Sequence, residues 1–374
     1  MRKKLLFVVN VPWFFISHRL PIALAAKASG YEVHVAASSG TELDAIRENG
    51  LIVHEVPFTR SSLNVLEEAK VLLALFKLYK KIKPDIVHHI TIKPVLYGSL
   101  ISIITKVPYT INAISGLGFI FLATGFIAAL RRTLVKFAYR IAFLKSNTVA
   151  IFQNPDDREQ FIKQGLVTHK QTFLIRGSGV DLSEYHMIDE PSGVPVIVLL
   201  ARMLWDKGIG EFVAAARLLK EKGISARFRL VGSIDKGNPK AIQKEQIDLW
   251  RKEGVVEWEG YISEVVKVIS ESNIVCLPSY REGLPKSLIE AAACGRAVVT
   301  TDVPGCNYAI QPEISGVLVP AHDSKSLADA LIRLIKDDSL RFEMGKAGRA
   351  FAEKEFTIQK VVDIHLDIYK THIS

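Results

Sequence analysis

Ser279-Tyr-Arg-Glu-Gly-Leu-Pro-Lys-Ser-Leu-Ile-Glu-Ala-Ala-Ala-Cys-Gly295 follows a short apolar run, Ile274 to Leu277, that predicts a buried strand. The chain breaks at Pro278 and Gly283 and restarts as a helix at Pro285 or Lys286. Proline suits a first helical turn because it has no N–H to lose and its φ is already set. A strand feeding a glycine loop and then a helix N-terminus leaves several backbone N–H groups aimed at one spot, which favours phosphate. Glu282 and Glu290 flank that spot. Ionised carboxylates are acceptor-only groups, so they suit sugar and ribose hydroxyls rather than phosphate. Together these features describe a pocket for a nucleotide sugar; the plainer alternative is a strand–turn–helix joint with two solvated glutamates.

A second stretch favours the pocket. Pro195-Val-Ile-Val-Leu-Leu-Ala201 predicts another buried strand, and Arg202-Met-Leu-Trp-Asp-Lys-Gly208 leads from it towards a helix over Gly210 to Lys222. Arg202 and Lys207 therefore leave the carboxyl end of a parallel strand, where open α/β sheets bind ligands. A guanidinium and an ammonium there can neutralise a diphosphate without a metal. No Asp-x-Asp occurs in the chain, so the usual aspartate pair for a nucleotide-bound divalent ion is missing.

With Arg202-x4-Lys207 and Glu282-x7-Glu290 in this order, the chain resembles the retaining glycosyltransferases of family 4, the glycosyl transferases group 1. That family includes sucrose synthase and bacterial mannosyltransferases. The resemblance implies the GT-B fold, two Rossmann-like doubly wound parallel-sheet α/β domains facing a cleft. It also implies donor contacts from Arg202, Lys207, Glu282, Gly283, Leu284, Pro285, Lys286, Glu290 and Gly232. Within that set Glu282, Arg202 and Lys207 carry the catalytic roles.

The bulk properties are consistent with that reading. A length of 374 residues suits two domains. Cys276, Cys294 and Cys306 lack metal-ligand spacing and are expected as buried thiols. The basic start, Met1 to Lys4, precedes only a short apolar run, which predicts a first strand rather than a signal peptide and a cytoplasmic chain. Residues 1–185 carry 23 Lys/Arg against 13 Asp/Glu, and residues 186–374 carry 25 against 26. A basic first half suggests an anionic partner. No zinc-finger spacing or RNA-binding signature points to nucleic acid, which leaves an anionic membrane surface.

The first half predicts strands at Lys4–Asn10, Tyr31–Ala37, Ile52–Val56, Ile86–Ile90, Tyr109–Ile114 and Thr148–Phe152. Helices are expected at Ser17–Ala28, Glu42–Asn49, Val65–Ile82, Pro94–Thr105 and Ile127–Leu144. This order means a parallel, doubly wound sheet. No Gly-x-Gly-x-x-Gly follows the first strand, which disfavours a dinucleotide oxidoreductase. The stretch Asn10 to Pro21 instead predicts an aromatic loop walling an acceptor site, with His18 and Arg19 where loop becomes helix. Each has a structural reading too, as a cap histidine and a surface arginine. The helix over Val65 to Lys83 is expected to bury Val65, Ala69, Leu72, Leu73, Phe76 and Tyr79.

Val107 to Leu130 contains no charged residue, but Pro108, Asn112, Ser115, Gly116, Gly118 and Gly125 argue against a membrane span. An apolar loop over Ser115–Gly125 is expected, followed by a helix carrying Arg131, Arg132, Lys136, Arg140 and Lys145 among apolar residues. That pattern fits a chain lying on the membrane without crossing it; a core helix with a solvated basic face is the alternative. Relatives often place a histidine after this strand to align the sugar; here Asn112 or Ser115 stands near that place.

Arg176 to Tyr185 and Met187 to Gly193 predict a linker. The expected domains are thus 1–185, with a returning C-terminal helix at about 357–374, for acceptor and membrane, and 186–356 for the donor. The resemblance implies transfer from a UDP-sugar, an N-acetylhexosamine such as N-acetylgalactosamine, to a polyprenyl-diphosphate-linked saccharide, with retention and without a cofactor or metal. Domain closure would complete the site, at the inner face of the cell membrane. A sugar-nucleotide 2-epimerase of the same fold and a GDP-mannose-dependent mannosyltransferase are the alternatives.

Overall fold

The computed structural model describes residues 2–58, 64–116, 126–235 and 237–371, with the backbone alone for 126–131. It divides into two compact units, Met1–Ser178 with Gln359–Ser374, and Gly179–Ile358.

In the first unit β1 (Lys4–Val9), α1 (Pro12–Ala28), β2 (Glu32–Ala37), α2 (Glu42–Glu48), β3 (Ile52–Glu55), α3 (Val65–Ile82) and β4 (Ile86–Ile90) come first. Then follow α4 (Ile92–Thr105), β5 (Tyr109–Ile114), α5 (Phe126–Ala142), β6 (Thr148–Phe152), α6 (Pro155–Lys163) and β7 (Thr172–Leu174). The sheet runs β3-β2-β1-β4-β5-β6-β7 and is parallel throughout. Its central strands are buried almost along their whole length, because helices cover both faces of such a sheet.

The second unit repeats the plan with β8 (Val196–Leu200), α7 (Ile209–Glu221), β9 (Arg227–Val231), α8 (Lys244–Lys252), β10 (Glu257–Trp258) and α9 (Val265–Ser270). It continues through β11 (Ile274–Leu277), α10 (Lys286–Ala293), β12 (Ala297–Thr301), β13 (Gly316–Val319), α11 (Ser324–Lys336) and α12 (Asp338–Glu355). α13 (Ile358–Thr371) then returns the chain to the first unit. The second sheet is parallel with the order β10-β9-β8-β11-β12-β13. In each unit the winding reverses beside the first strand, between β1 and β4 and between β8 and β11. Crevices at such points, beyond the carboxyl ends of the strands, are where these sheets hold ligands.

Three expectations need correction. The stretch from Pro12 is helical, not a loop, because Pro12 sits at the first helical turn with its φ preset. Trp13, Phe14 and Phe15 therefore belong to α1, and His18 and Arg19 lie well inside it. In α3 the buried row is Val71, Leu75, Tyr79 and Ile82, whereas Val65 is 79% exposed. The four- and three-residue steps of that row follow one helix face. Finally, residues 187–193 are not a free linker. Buried Arg296 donates to the carbonyls of Ile188 (2.6 Å) and Asp189 (3.0 Å), and Arg341 pairs with Glu190 (2.7 Å). The chain leaves the first unit at Ser178, seven residues before the position read from the sequence.

Candidate active site

The sequence-predicted donor residues gather at the carboxyl edge of the second sheet. Lys207, from the turn after β8, donates to Glu282 Oε1, from the loop after β11, across the reversal point. Ser279 Oγ, fully buried, donates to the same Glu282 oxygen at 2.7 Å. The backbone that carries these groups is clamped. Tyr280 N and Ser279 Oγ each lie 3.0 Å from the Asp206 carbonyl, and Thr301 Oγ1 donates to the Ser279 carbonyl. Gly208 has a φ of +71°, and a Cβ there would stand 2.0 Å from the Pro278 carbonyl oxygen, so only glycine fits. Gly305 backs the loop from the other side; its Cβ would lie 2.3 Å from the Glu282 backbone carbonyl oxygen. The Glu282 N–H itself donates to the Pro304 carbonyl at 3.0 Å.

Arg202 donates to Asp235 Oδ2, a nearly buried carboxylate in the loop after β9. Gly232 lets the β9 loop approach β8: a Cβ there would lie 1.8 Å from the Ala201 carbonyl oxygen. Trp258 secures the same glycine, its indole N–H donating to the Gly232 carbonyl at 3.0 Å.

Pro285 precedes α10, whose first residue is Lys286, and Leu284 packs into the core of the second unit. Glu290 is 5% exposed, with Lys286 Nζ 3.3 Å from its Oε1 and the Tyr185 hydroxyl hydrogen-bonded to it. Burial pushes its carboxyl above the usual glutamate range; the Lys286 charge and the Tyr185 bond oppose that. Arg202, Lys207, Glu282, Gly283, Lys286 and Glu290 thus share one edge of one sheet.

The first-unit candidates scatter. Arg19 is 2% exposed; its Nη1 donates to the His18 carbonyl at 2.9 Å. Desolvation lowers its guanidinium to about 10, against the influence of Tyr369 on α13. It therefore stays charged near neutrality inside the unit rather than at a surface. His18 stacks on Phe14 with ring centroids 4.1 Å apart. Asn112 is fully buried in mid-β5, its Oδ1 2.8 Å from His89 Nδ1 and 3.1 Å from the Ser99 hydroxyl. Alternation could not have shown this, because both faces of β5 are buried. Ser115 and Gly116 do follow the end of β5, and Gly116 has a φ of +110°. Gly118 and most of the Ser115–Gly125 loop lie outside the described residues.

Sequence reading missed Ser279, Asp235 and Tyr185 as partners of the predicted groups. Only Ser279 carried a usable signal, three residues before Glu282 in a loop already singled out. It also missed Asn10 and Thr91 at the reversal point of the first sheet. Thr91 Oγ1 donates to Asn10 Oδ1 at 2.9 Å, and Thr91 holds a φ of +74°, a sterically costly conformation for a β-branched residue. The three cysteines are buried and free, and burial raises Cys294 and Cys306 to about 12. Among the described residues no cluster of three His, Cys, Asp or Glu side chains is placed to hold a metal ion. Nor is any described helix long and apolar enough to cross a membrane.

The family model for glycosyl transferases group 1 matches residues 187–351, and that for glycosyl transferase 4-like proteins matches residues 4–154. The chain is 31% identical over 353 residues to the N,N'-diacetylbacillosaminyl-diphospho-undecaprenol alpha-1,3-N-acetylgalactosaminyltransferase of Campylobacter jejuni, covering 89% of this chain and 91% of that protein. It is 26% identical over 331 residues to the UDP-Gal:alpha-D-GlcNAc-diphosphoundecaprenol alpha-1,3-galactosyltransferase of Escherichia coli, covering 84% and 82%. In fold it is similar to sucrose-phosphate synthase from Thermosynechococcus elongatus, with a TM-score of 0.82 at 19% identity and 99% of both chains covered.

Proposed function

This chain is a glycosyltransferase belonging to the glycosyl transferases group 1 family, and we propose that it moves an N-acetylhexosamine from a UDP-sugar to a polyprenyl-diphosphate-linked saccharide. N-acetylgalactosamine is the preferred donor sugar, because the Campylobacter jejuni relative named above transfers that sugar to an undecaprenol-linked acceptor. UDP as the carrier is supported by the UDP-galactose enzyme of Escherichia coli. Neither relative is an epimerase, so the isomerase alternative gains no support.

The observation that carries the reading is the meeting of the two motifs across the reversal point of the second sheet, Lys207 against Glu282. Arg202 and Lys207 neutralise charge on the leaving diphosphate, with no metal required, and Glu290 takes the ribose hydroxyls. Glu282 takes hydroxyls of the transferred sugar. The backbone N–H groups of Gly283 to Lys286 lie at the head of α10, where a phosphate is favoured. No side chain of this set serves as a covalent nucleophile; the acceptor proton passes to the departing diphosphate oxygen and the configuration is retained.

The chain works on the inner face of the membrane, held there without a span. α5 supports this: Leu134 and Phe137 are each 61% exposed on a helix that also bears Arg132, Lys136 and Arg140. An apolar strip edged by cations suits an anionic interface.

The test is release of nucleoside diphosphate from UDP-, GDP- and ADP-sugars in EDTA, with and without a short-chain polyprenyl-diphosphate-linked saccharide. Acceptor-dependent release of UDP, lost in Glu290→Ala, is expected. Turnover that needs added Mg²⁺ or Mn²⁺ would remove the metal-free charge assignment. Conversion of the donor to an epimer without acceptor would replace the transferase reading.

A further inference from the structure

We infer that Lys207 and Glu282 form an interlock that makes sugar recognition conditional on diphosphate binding, with Ser279 as the positioning residue that holds Glu282 while its partner changes. The inference rests on the donor-site reading above.

Each partner is a group the donor needs. Lys207 is the cation for the diphosphate and Glu282 the acceptor for sugar hydroxyls, yet in the structure they satisfy each other. Both side chains are mostly buried, at 17% and 14% exposure, so the pair is poorly screened by water. A diphosphate that takes Lys207 must draw it off a carboxylate. The same event frees lone pairs on Glu282 for hydroxyl donors.

The backbone cannot supply this exchange. The Asp206 carbonyl holds Tyr280 N, the Ser279 carbonyl is held by Thr301, and Gly208 abuts Pro278 with no room for even a methyl group. The exchange therefore falls to rotation of the long Lys207 side chain. Ser279 stays on Glu282 Oε1 at 2.7 Å throughout, keeping the carboxylate aimed when its ammonium partner leaves. Arg202 has its own carboxylate, Asp235, on the opposite flank of β8 and does not take part in this exchange.

The consequence is an ordered preference. The diphosphate moiety opens the sugar subsite, and a free sugar finds Glu282 engaged. A simple electrostatic effect would look similar in one respect, since any carboxylate near a diphosphate weakens its binding. A double-mutant cycle separates the two, because only direct pairing couples the two positions.

The experiment is calorimetric titration of UDP and of the UDP-sugar into wild type, Glu282→Gln, Lys207→Met, the double variant and Ser279→Ala, with thermal melts to confirm folding. Glu282→Gln is expected to bind UDP about tenfold more tightly, because Lys207 no longer leaves an anion. In the Lys207→Met background the same change should have no effect. In Ser279→Ala, UDP affinity should hold while the extra affinity contributed by the sugar falls several-fold. If Glu282→Gln tightens UDP equally with and without Lys207, the effect is plain repulsion and the interlock is wrong. Unchanged or weaker UDP binding in Glu282→Gln also overturns it. If wild type binds no nucleoside diphosphate at all, the donor-site reading itself fails. Should Glu282→Gln not fold, Lys207→Met decides: the interlock requires this variant, whose Glu282 has lost its ammonium partner, to bind UDP more weakly and the free sugar more tightly than wild type, and free-sugar binding no tighter than in wild type overturns it.

Discussion

Lys286 Nζ stands 3.3 Å from Glu290 Oε1, one helical turn along α10, and its charge opposes the effect of burial on that carboxylate. Glu290 must be ionised to accept ribose hydroxyls. Because burial raises its pKa, the acidic limb of donor binding should lie above the range of an ordinary glutamate. Lys286→Met should move that limb to still higher pH, which a pH series of UDP titrations measures. The stability sign is opposite in direction. A raised folded pKa means that the folded chain holds the proton more tightly than the unfolded one, so stability is lost as pH rises through the raised value. Glu290→Gln should therefore gain stability relative to wild type above that pH, while losing donor affinity.

Gly208 is expected to tolerate no side chain. At φ +71°, with a Cβ 2.0 Å from the Pro278 carbonyl oxygen, alanine must push apart the loops that carry Lys207 and Glu282. Gly208→Ala should cost roughly 2–4 kcal/mol of stability and most of the activity. Equilibrium denaturation together with the release assay would show this, and a variant of unchanged midpoint and rate would contradict it.

Buried histidines should make the first unit acid-sensitive. Desolvation holds His88 well below its ordinary range, His365 down to about 3 and His89 down to about 4. All are neutral in the fold, whereas the unfolded chain takes up protons near pH 6.5. Their stability contribution is complete above about pH 6.5 and is lost as pH falls below it, at up to ~1.4 kcal/mol per pH unit for each histidine. His365→Leu should flatten the fall in thermal midpoint between pH 6.5 and 4 by about one proton's worth. An unchanged slope would show that His365 is not one of the groups responsible.

The exposed strip on α5 should govern attachment to lipid. Leu134→Glu with Phe137→Glu is expected to reduce binding to vesicles containing phosphatidylglycerol at least tenfold, with UDP affinity intact because both residues lie in the other unit. Equal vesicle binding by variant and parent would remove α5 from the membrane contact.

Much of the architecture was legible in the sequence because buried parallel strands read as short runs rich in β-branched and other apolar residues. Ile86–Ile90, Tyr109–Ile114, Thr148–Phe152 and Ile274–Leu277 are strands with the bounds the sequence predicted. The extent of α1 was not legible. Three adjacent aromatic residues, Trp13 to Phe15, carry no clear period, so only the part from Ser17 onward was read as helix.

At the candidate site, the residue types of Arg202, Lys207, Glu282 and Glu290 and their spacing along strand–loop–helix joints were set by the sequence alone. Hydrogen-bonding capacity and charge follow from composition, and the joints follow from glycine, proline and apolar runs. Only the tertiary structure decided who partners whom. Lys207 reaches Glu282 because β8 and β11, distant in the chain, are neighbours in the sheet. The same holds for Arg202 with Asp235 and for the burial of Arg19 and Asn112. Such pairings depend on strand order and on which face a side chain takes, quantities that spacing along the chain does not contain.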